Sequence, residues 1–367
     1  MRLRGALVAS ALVAAVGVAA FTATSASAIG SAGESAVVPT HAAACTSVQA
    51  LAYSQSQATA TQMYWTPSRI KATRGYSRTA LNGLTASQAS RSAAAPTSSV
   101  RCLSESTATG AAAQHAASGS AATAHSDTVA VTSSDGYPTI GKLTYRADGV
   151  LDLSCTATVI NGTTATNDEE LVLTAAHCIE GTTDGIPYTS TDLAFSPMWN
   201  NGDAPYGTWT SKEVFLNSGW MSCGIITCST NPADDYAIIV LNQQNGKGVG
   251  DVVGSDAWSI GAADTLSGVT IAGLPSSATK LLTTTTSATA VTESGVSYRT
   301  AATPGYTDGT SGGPWLTDFN TTTGLGTLIG DTGGYEQGGP SSGTPSYSDV
   351  WNNAFATVVA DAVTYED

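Results

Sequence analysis

Basic residues are scarce in this chain. It has 14 Lys and Arg against 28 Asp and Glu over 367 residues, a formal net charge of −14. They are also unevenly spread: residues 1–138 hold 8 basic against 4 acidic groups, and residues 139–367 hold 6 against 24. A body this acidic repels nucleic acid and anionic membrane, which excludes both as natural partners. Histidine is scarcer still. His41, His115 and His125 lie in the front segment, so His177 is the one imidazole in residues 139–367. No apolar run beyond the N-terminus is long enough to cross a bilayer. No β-α-β alternation and no repeat of fixed period is visible, which weighs against doubly wound and solenoid folds. No EF-hand spacing or cofactor motif appears, so neither a metal nor a cofactor is expected.

The N-terminus fixes the expected compartment. Met1-Arg2-Leu3-Arg4 is basic, Gly5 to Phe21 is apolar, and Ala26-Ser27-Ala28 offers a small-x-small cleavage site. This pattern predicts a secretory signal peptide over residues 1–28, a secreted product and no membrane attachment after cleavage. In an exported chain, Cys45, Cys102, Cys155, Cys178, Cys223 and Cys228 read as disulfide partners. Sequence leaves their connectivity open. Joining neighbours in chain order gives Cys45–Cys102, Cys155–Cys178 and Cys223–Cys228, and the second of these would staple the loop that carries His177.

Residues 29–136 are rich in Ala, Ser and Thr, and two stretches, Ala86 to Ser99 and Ser104 to His125, read as flexible low-complexity chain. A structured island runs from Gln62 to Lys71, where Thr66 as N-cap and Pro67 at the first position predict a short helix. From Tyr137 the texture changes to short strands with turn signals about every ten residues. They are predicted at Pro138–Tyr145, Leu151–Ile160, Leu171–Thr174, Gly207–Leu216, Tyr236–Leu241, Val269–Ala272, Thr286–Thr292 and Gly326–Ile329, with a hairpin turn at Asp148-Gly149. Such spacing argues for an all-β domain of antiparallel barrels or sandwiches. The end differs: Ser348-Asp349 precedes Trp351, Phe355, Val358, Val359 and Ala362, an N-capped apolar stripe that predicts a C-terminal helix.

Three short motifs carry the chemistry. Gly309-Thr310-Ser311-Gly312-Gly313-Pro314 sets a serine among glycines, which let the backbone approach a substrate and turn N–H groups toward one point. A serine hydroxyl needs a base and a group that orients the base. Leu173-Thr174-Ala175-Ala176-His177-Cys178 supplies the first. Asp234-Asp235, directly before the apolar run Tyr236 to Leu241, supplies the second. Asp235 is favoured because it opens the buried strand, which leaves Asp234 as a solvated loop residue.

The order His, Asp, Ser with these flanks resembles the trypsin/chymotrypsin-like serine peptidases, and Cys155-Thr156-Ala157-Thr158-Val159-Ile160 extends the likeness over most of residues 139–360. The stretch from Gly181 to Asn231 matches no motif of that family. The resemblance is closest to secreted actinobacterial relatives, glutamyl-endopeptidase-like enzymes among them. It implies two antiparallel Greek-key β-barrels, about 137–250 and 251–346, followed by a C-terminal helix over 347–367. It implies a triad of His177, Asp235 and Ser311 with an oxyanion hole from the Gly309 and Ser311 N–H groups, and protein or peptide substrates. Asp308, Thr332, Gly333 and Gly334 are then the expected substrate-binding residues.

The island at 62–71 resembles the pro-segment motif of such relatives, the alternative being a linker or stalk. A basic front segment is expected to dock on the acidic body as an intramolecular inhibitor that weakens at high salt, making the chain a zymogen. Two departures matter. Thr310 stands where most trypsin relatives carry the Asp that pairs with a new N-terminus, and Gly305 stands where tryptic specificity needs an acid. The alternative function is a secreted peptidase-like binding or surface protein without turnover.

Overall fold

The computed structural model describes residues 47–81, 99–103, 136–162, 170–224, 227–340 and 344–365, all within one compact unit. The signal peptide, most of the two low-complexity stretches and Cys45 lie outside the described residues. Among those described, no helix is long and apolar enough to cross a membrane.

The front segment contributes β1 (Val48–Ala52), α1 (Gln55–Tyr64), α2 (Pro67–Ala72), β2 (Arg74–Gly75), α3 (Arg78–Leu81) and β3 (Ser99–Leu103). Helix α1 starts from a capping box, with Ser54 N donating to Gln57 Oε1 at 2.7 Å. Helix α2 has the expected Thr66 cap and Pro67 at its first position. Gln62 to Tyr64, expected in the same island, instead finish α1.

A first sheet follows: β4 (Ile140–Ala147), β5 (Leu151–Val159), β6 (Leu171–Thr174), β7 (Glu180–Thr183), β8 (Ile186–Pro197) and β9 (Trp209–Asn217). A small hairpin, β10 (Met221–Cys223) and β11 (Cys228–Thr230), leads to β12 (Ala237–Leu241). The expected turn at Asp148-Gly149 joins β4 to β5, both residues having positive φ, 49° and 65°. The strand order β9-β12-β6-β5-β4-β8 closes through pairing of β8 with β9, giving a six-stranded barrel. Front strands β1 and β3 extend this sheet, since β1 pairs antiparallel with both β9 and β3.

Alternation along single strands splits the barrel wall between two cores. Ala237, Ile239 and Leu241 of β12 face the barrel interior with Val172, Val214 and Leu216. Ile238 and Val240 face outward into a second cluster with Leu173, Phe215 and Phe355. A strand buried on both faces is held rigidly, and β12 is buried at every residue.

After α4 (Val249–Val253) comes the second sheet: β13 (Ala257–Trp258), β14 (Thr265–Gly273), β15 (Leu282–Glu293), β16 (Val296–Ala301), β17 (Pro314–Asn320), β18 (Leu325–Asp331) and β19 (Ser346–Asp349). Its order, β13-β18-β17-β14-β15-β16-β19, curls around Val269, Ile271, Tyr306, Trp315 and Ile329. The chain is thus all-β with a closed first barrel and a curled second half-barrel. It ends in helix α5 (Asn353–Val363), which packs Phe355 against Tyr236 with ring centroids 5.2 Å apart.

Ser348 and Asp349 do not cap the last helix; both belong to β19, where Ser348 pairs with Arg299 and Asp349 with Tyr298. The cap is Asn352, whose Oδ1 accepts from Ala354 N at 2.7 Å. Strand pairing takes up the first Ser-Asp signal, so the helix starts at the next side chain able to cap it. Among the described residues, Cys155 is bridged to Cys178 and Cys223 to Cys228. Cys102 is also disulfide-bonded.

Candidate active site

His177 sits where β6 runs out. Leu171, Val172 and Leu173 are fully buried, and the chain then turns through the 3-10 stretch Ala176–Cys178. The Cys155–Cys178 bridge ties the residue after His177 to β5. Asp235 sits at the start of β12, and neither side chain has any solvent exposure. The Asp235 carboxylate accepts from His177 Nδ1 at 2.8 Å to Oδ2, from the His177 main-chain N–H at 2.9 Å to Oδ1, and from the Gly334 N–H at 2.8 Å to Oδ2. Three donors on one buried carboxylate offset its desolvation and set the imidazole tautomer with the proton on Nδ1. His177 Nε2 is buried and has no hydrogen-bond partner among the described residues. Asp234, expected as a solvated loop residue, is instead half-buried. It accepts from Asn231 Nδ2 at 2.7 Å and Asn217 Nδ2 at 3.1 Å, and burial raises its carboxyl above the usual range.

The Ser311 loop is fastened to β5, the strand to which the Cys155–Cys178 bridge ties the His177 turn, and β5 is in turn bonded to the residue after β14. The Ser311 carbonyl accepts from Thr156 N at 2.8 Å, Thr156 Oγ1 donates to the Gly309 carbonyl at 2.9 Å, and Leu274 N donates to Thr156 Oγ1 at 2.8 Å. Gly312 has φ +74° and lies against the His177 turn. A side chain there would strike Thr174 Oγ1 and come within 2.8 Å of Ala175 N, so only glycine admits the approach. Thr310, Gly312 and Gly313 donate their N–H groups to Thr307, Thr332 and Thr310 carbonyls. The Gly309 and Ser311 N–H groups find no such acceptor among the described residues.

A cavity of about 150 Å³ opens beside Ser311, lined among others by Asp308, Thr310, Thr332 and Glu336. Gly333 and Gly334 are not part of its lining. Their N–H groups go to Tyr347 O and to Asp235 instead.

Sequence reading gave no sign of two further residues at the site. The Tyr76 ring packs on the His177 ring with centroids 4.4 Å apart, and Tyr76 and Ser77 also line the cavity. Tyr188 Oη donates to the His177 carbonyl at 2.7 Å and lies 3.2 Å from Tyr76 Oη. No motif flags Tyr76 or Tyr188, because neither is defined by its chain neighbours. Cys155, His177 and Cys178 bring possible ligand atoms within 4.8 Å of one another, but the two sulfurs are bonded to each other and offer no thiolate to a metal.

No family model matches the chain, and no curated protein does. Among solved structures, the protease Anisep from Arthrobacter nicotinovorans is 26% identical, with 63% of this chain and 98% of that one covered at a TM-score of 0.53. The fold is that of the trypsin/chymotrypsin-like serine peptidases. A thermostable serine protease, AL20, from an extremophilic microorganism is similar at 23% identity, covering 62% of this chain and 98% of that one, with a TM-score of 0.48. Within this peptidase fold, Asp331 and Asp349 are two more fully buried acids near Asp235. Burial first, then repulsion from neighbouring carboxylates including Asp235, raises both well above the usual carboxylate range.

Proposed function

We propose that this chain is a secreted serine endopeptidase. It is made with a signal peptide over residues 1–28 and a pro-segment over 29–136, ahead of a peptidase domain over 137–367. The observation that carries this reading is the His177–Asp235 pair, with Nε2 left unpartnered, on a turn that Gly312 of the serine loop abuts.

In the proposed reaction, Ser311 Oγ attacks the scissile carbonyl while His177 Nε2 takes its proton. The carbonyl electrons move onto oxygen, which the free Gly309 and Ser311 N–H groups receive, each donor contributing about 3 kcal/mol. Collapse breaks the C–N bond, and His177 returns the proton to the leaving amine. Water, deprotonated by the same imidazole, then cleaves the acyl ester and restores Ser311. Asp235 holds Nδ1–H and steadies the imidazolium. An extended peptide is the substrate class this site suits, with the cavity lined by Asp308 and Thr332 receiving one side chain. The front segment is the first peptide to occupy that cleft.

The test is fluorophosphonate labelling of the secreted protein before and after limited proteolysis that removes the front segment, with the modified residue mapped by mass spectrometry. Label on Ser311 of the trimmed form, abolished by Ser311→Ala, is expected. Folded, trimmed protein that takes no label would move the reading to a peptidase-like binding protein.

A further inference from the structure

We infer that Arg74–Ser77 is a backbone strap that closes the cleft in the uncut chain, and that Gly75 is the residue that lets it do so. This rests on the peptidase reading above and concerns the control of the same site.

Gly75 lies directly on the loop that precedes Ser311. A Cβ at Gly75 would overlap the Asp308 carbonyl and lie 2.5 Å from Gly309 N. The approach is mutual: a Cβ on Gly309 would meet Gly75 Cα at 3.3 Å. Both partners are main chain, so neither can swing aside as a side chain would. The strap therefore crosses the serine loop at a distance that only glycine permits, and it covers one of the two N–H groups proposed to receive the oxyanion.

The flanking residues complete the closure. Strand β2 pairs in parallel with β5, Arg74 opposite Leu153 and Gly75 opposite Ser154. Tyr76 N donates to the Ser154 carbonyl at 2.8 Å, and Ser154 Oγ donates to the Arg74 carbonyl at 3.3 Å. These bonds aim the Tyr76 ring at His177 and put Ser77 on the wall of the cavity that also holds Ser311. A peptide substrate would need the space that Gly75 and Tyr76 occupy.

An anchor upstream keeps the strap taut. Trp65 and Ile70 pack with Ala194, Trp199 and Leu274. Lys142 Nζ donates to the Ile70 carbonyl at 3.1 Å and sits 4.3 Å from the centre of the Trp199 ring. Thr310 cannot pair with a freed N-terminus as an aspartate would, so a strap that occupies the cleft is a means of control that needs no such ion pair.

The experiment compares fluorophosphonate labelling rates at Ser311 for full-length uncut wild type, Gly75→Ala and Tyr76→Ala, with trimmed wild type as reference. Gly75→Ala should push the strap off the loop and raise the rate at least about tenfold over uncut wild type, by enlarging the open fraction. Tyr76→Ala, which leaves the backbone pairing intact, should raise it as well. Folding of each variant is checked by circular dichroism. If Gly75→Ala does not fold, Tyr76→Ala decides: a faster rate upholds the strap, and an unchanged rate overturns it. A folded Gly75→Ala protein that labels no faster than wild type overturns it too, as does uncut wild type labelling as fast as trimmed protein. Trimmed wild type that never labels would instead remove the peptidase reading on which the strap rests.

Discussion

Glu180 lies three residues past His177 and is 3% exposed. Its carboxylate receives Gln49 Nε2 of the front strand at 3.2 and 3.3 Å, and burial raises its pKa from 4.5 to about 7. The sign follows from linkage. A carboxyl raised in the fold adds stability that is complete below about pH 4.5 and is lost as pH rises through about 7. The swing is on the order of 3 kcal/mol if Glu180 acts alone. Asp256, fully buried and also raised to about 7 by burial, acts in the same direction. The expected outcome is a thermal midpoint higher at pH 5 than at pH 8. Glu180→Gln should flatten that difference, mainly by raising the midpoint at pH 8. An unchanged slope would show that the carboxyl is solvated. His177, Asp235 and Ser311 were legible as candidates because each sits in a short motif. Glu180 was not, since the side chain that hydrogen-bonds it is 131 positions away.

Among single elements, the bridge between β5 and the His177 turn carries the clearest consequence. Cys155 and Cys178 are 23 residues apart, and closing a loop of this size removes about 3 kcal/mol of unfolded-state entropy. Replacing both by Ala should lower stability to unfolding in denaturant by about that amount. It should also slow peptide turnover, since the turn holding His177 would lose its tie to β5. Full turnover with the stability loss would assign the bridge to the fold alone. Strands were readable where β-branched and apolar residues form a short run between turn signals, as in β5, β6 and β12, whereas β8 and β16 carried no expectation. Their ends were read less well: β14 and β15 run past the expected Val269–Ala272 and Thr286–Thr292, to Thr265–Gly273 and Leu282–Glu293. Most of those extra residues are polar or glycine and exposed or half-buried, and the two strands pair with each other over much of that length. The cap at Ser348-Asp349 was misread for a similar reason, because pairing with β16 is invisible in the local sequence. Strands β1 and β3 were missed altogether. Their Ala-, Ser- and Thr-rich surroundings match flexible chain, and only packing against β9 turns Val48, Ala50 and Leu51 into core.

For the molecule as a whole, the question is what holds the front segment in place. The net charges of its two parts suggested attraction between a basic segment and an acidic body. The contacts are mostly of other kinds. Strand β1 shares a full antiparallel register with β9, Val48 opposite Asn217 through Ala52 opposite Glu213. Trp65 and Ile70 are buried with residues of both sheets, and Tyr64 Oη donates to Asp152 at 2.8 Å. Among the described residues, the ion pair joining segment and body is Arg101 with the fully buried Glu213. Salt screens exposed charges over about 8 Å at physiological ionic strength and leaves buried pairs and main-chain ladders largely intact. A chain cut once between residues 104 and 135 should therefore keep its front fragment bound on gel filtration at both 0.05 and about 1 M salt, and its Ser311 labelling rate should change less than about twofold between them. Release at high salt would return the segment to an electrostatic tether. Retention would mean that a single cut does not open the cleft, and that the strap itself has to be removed.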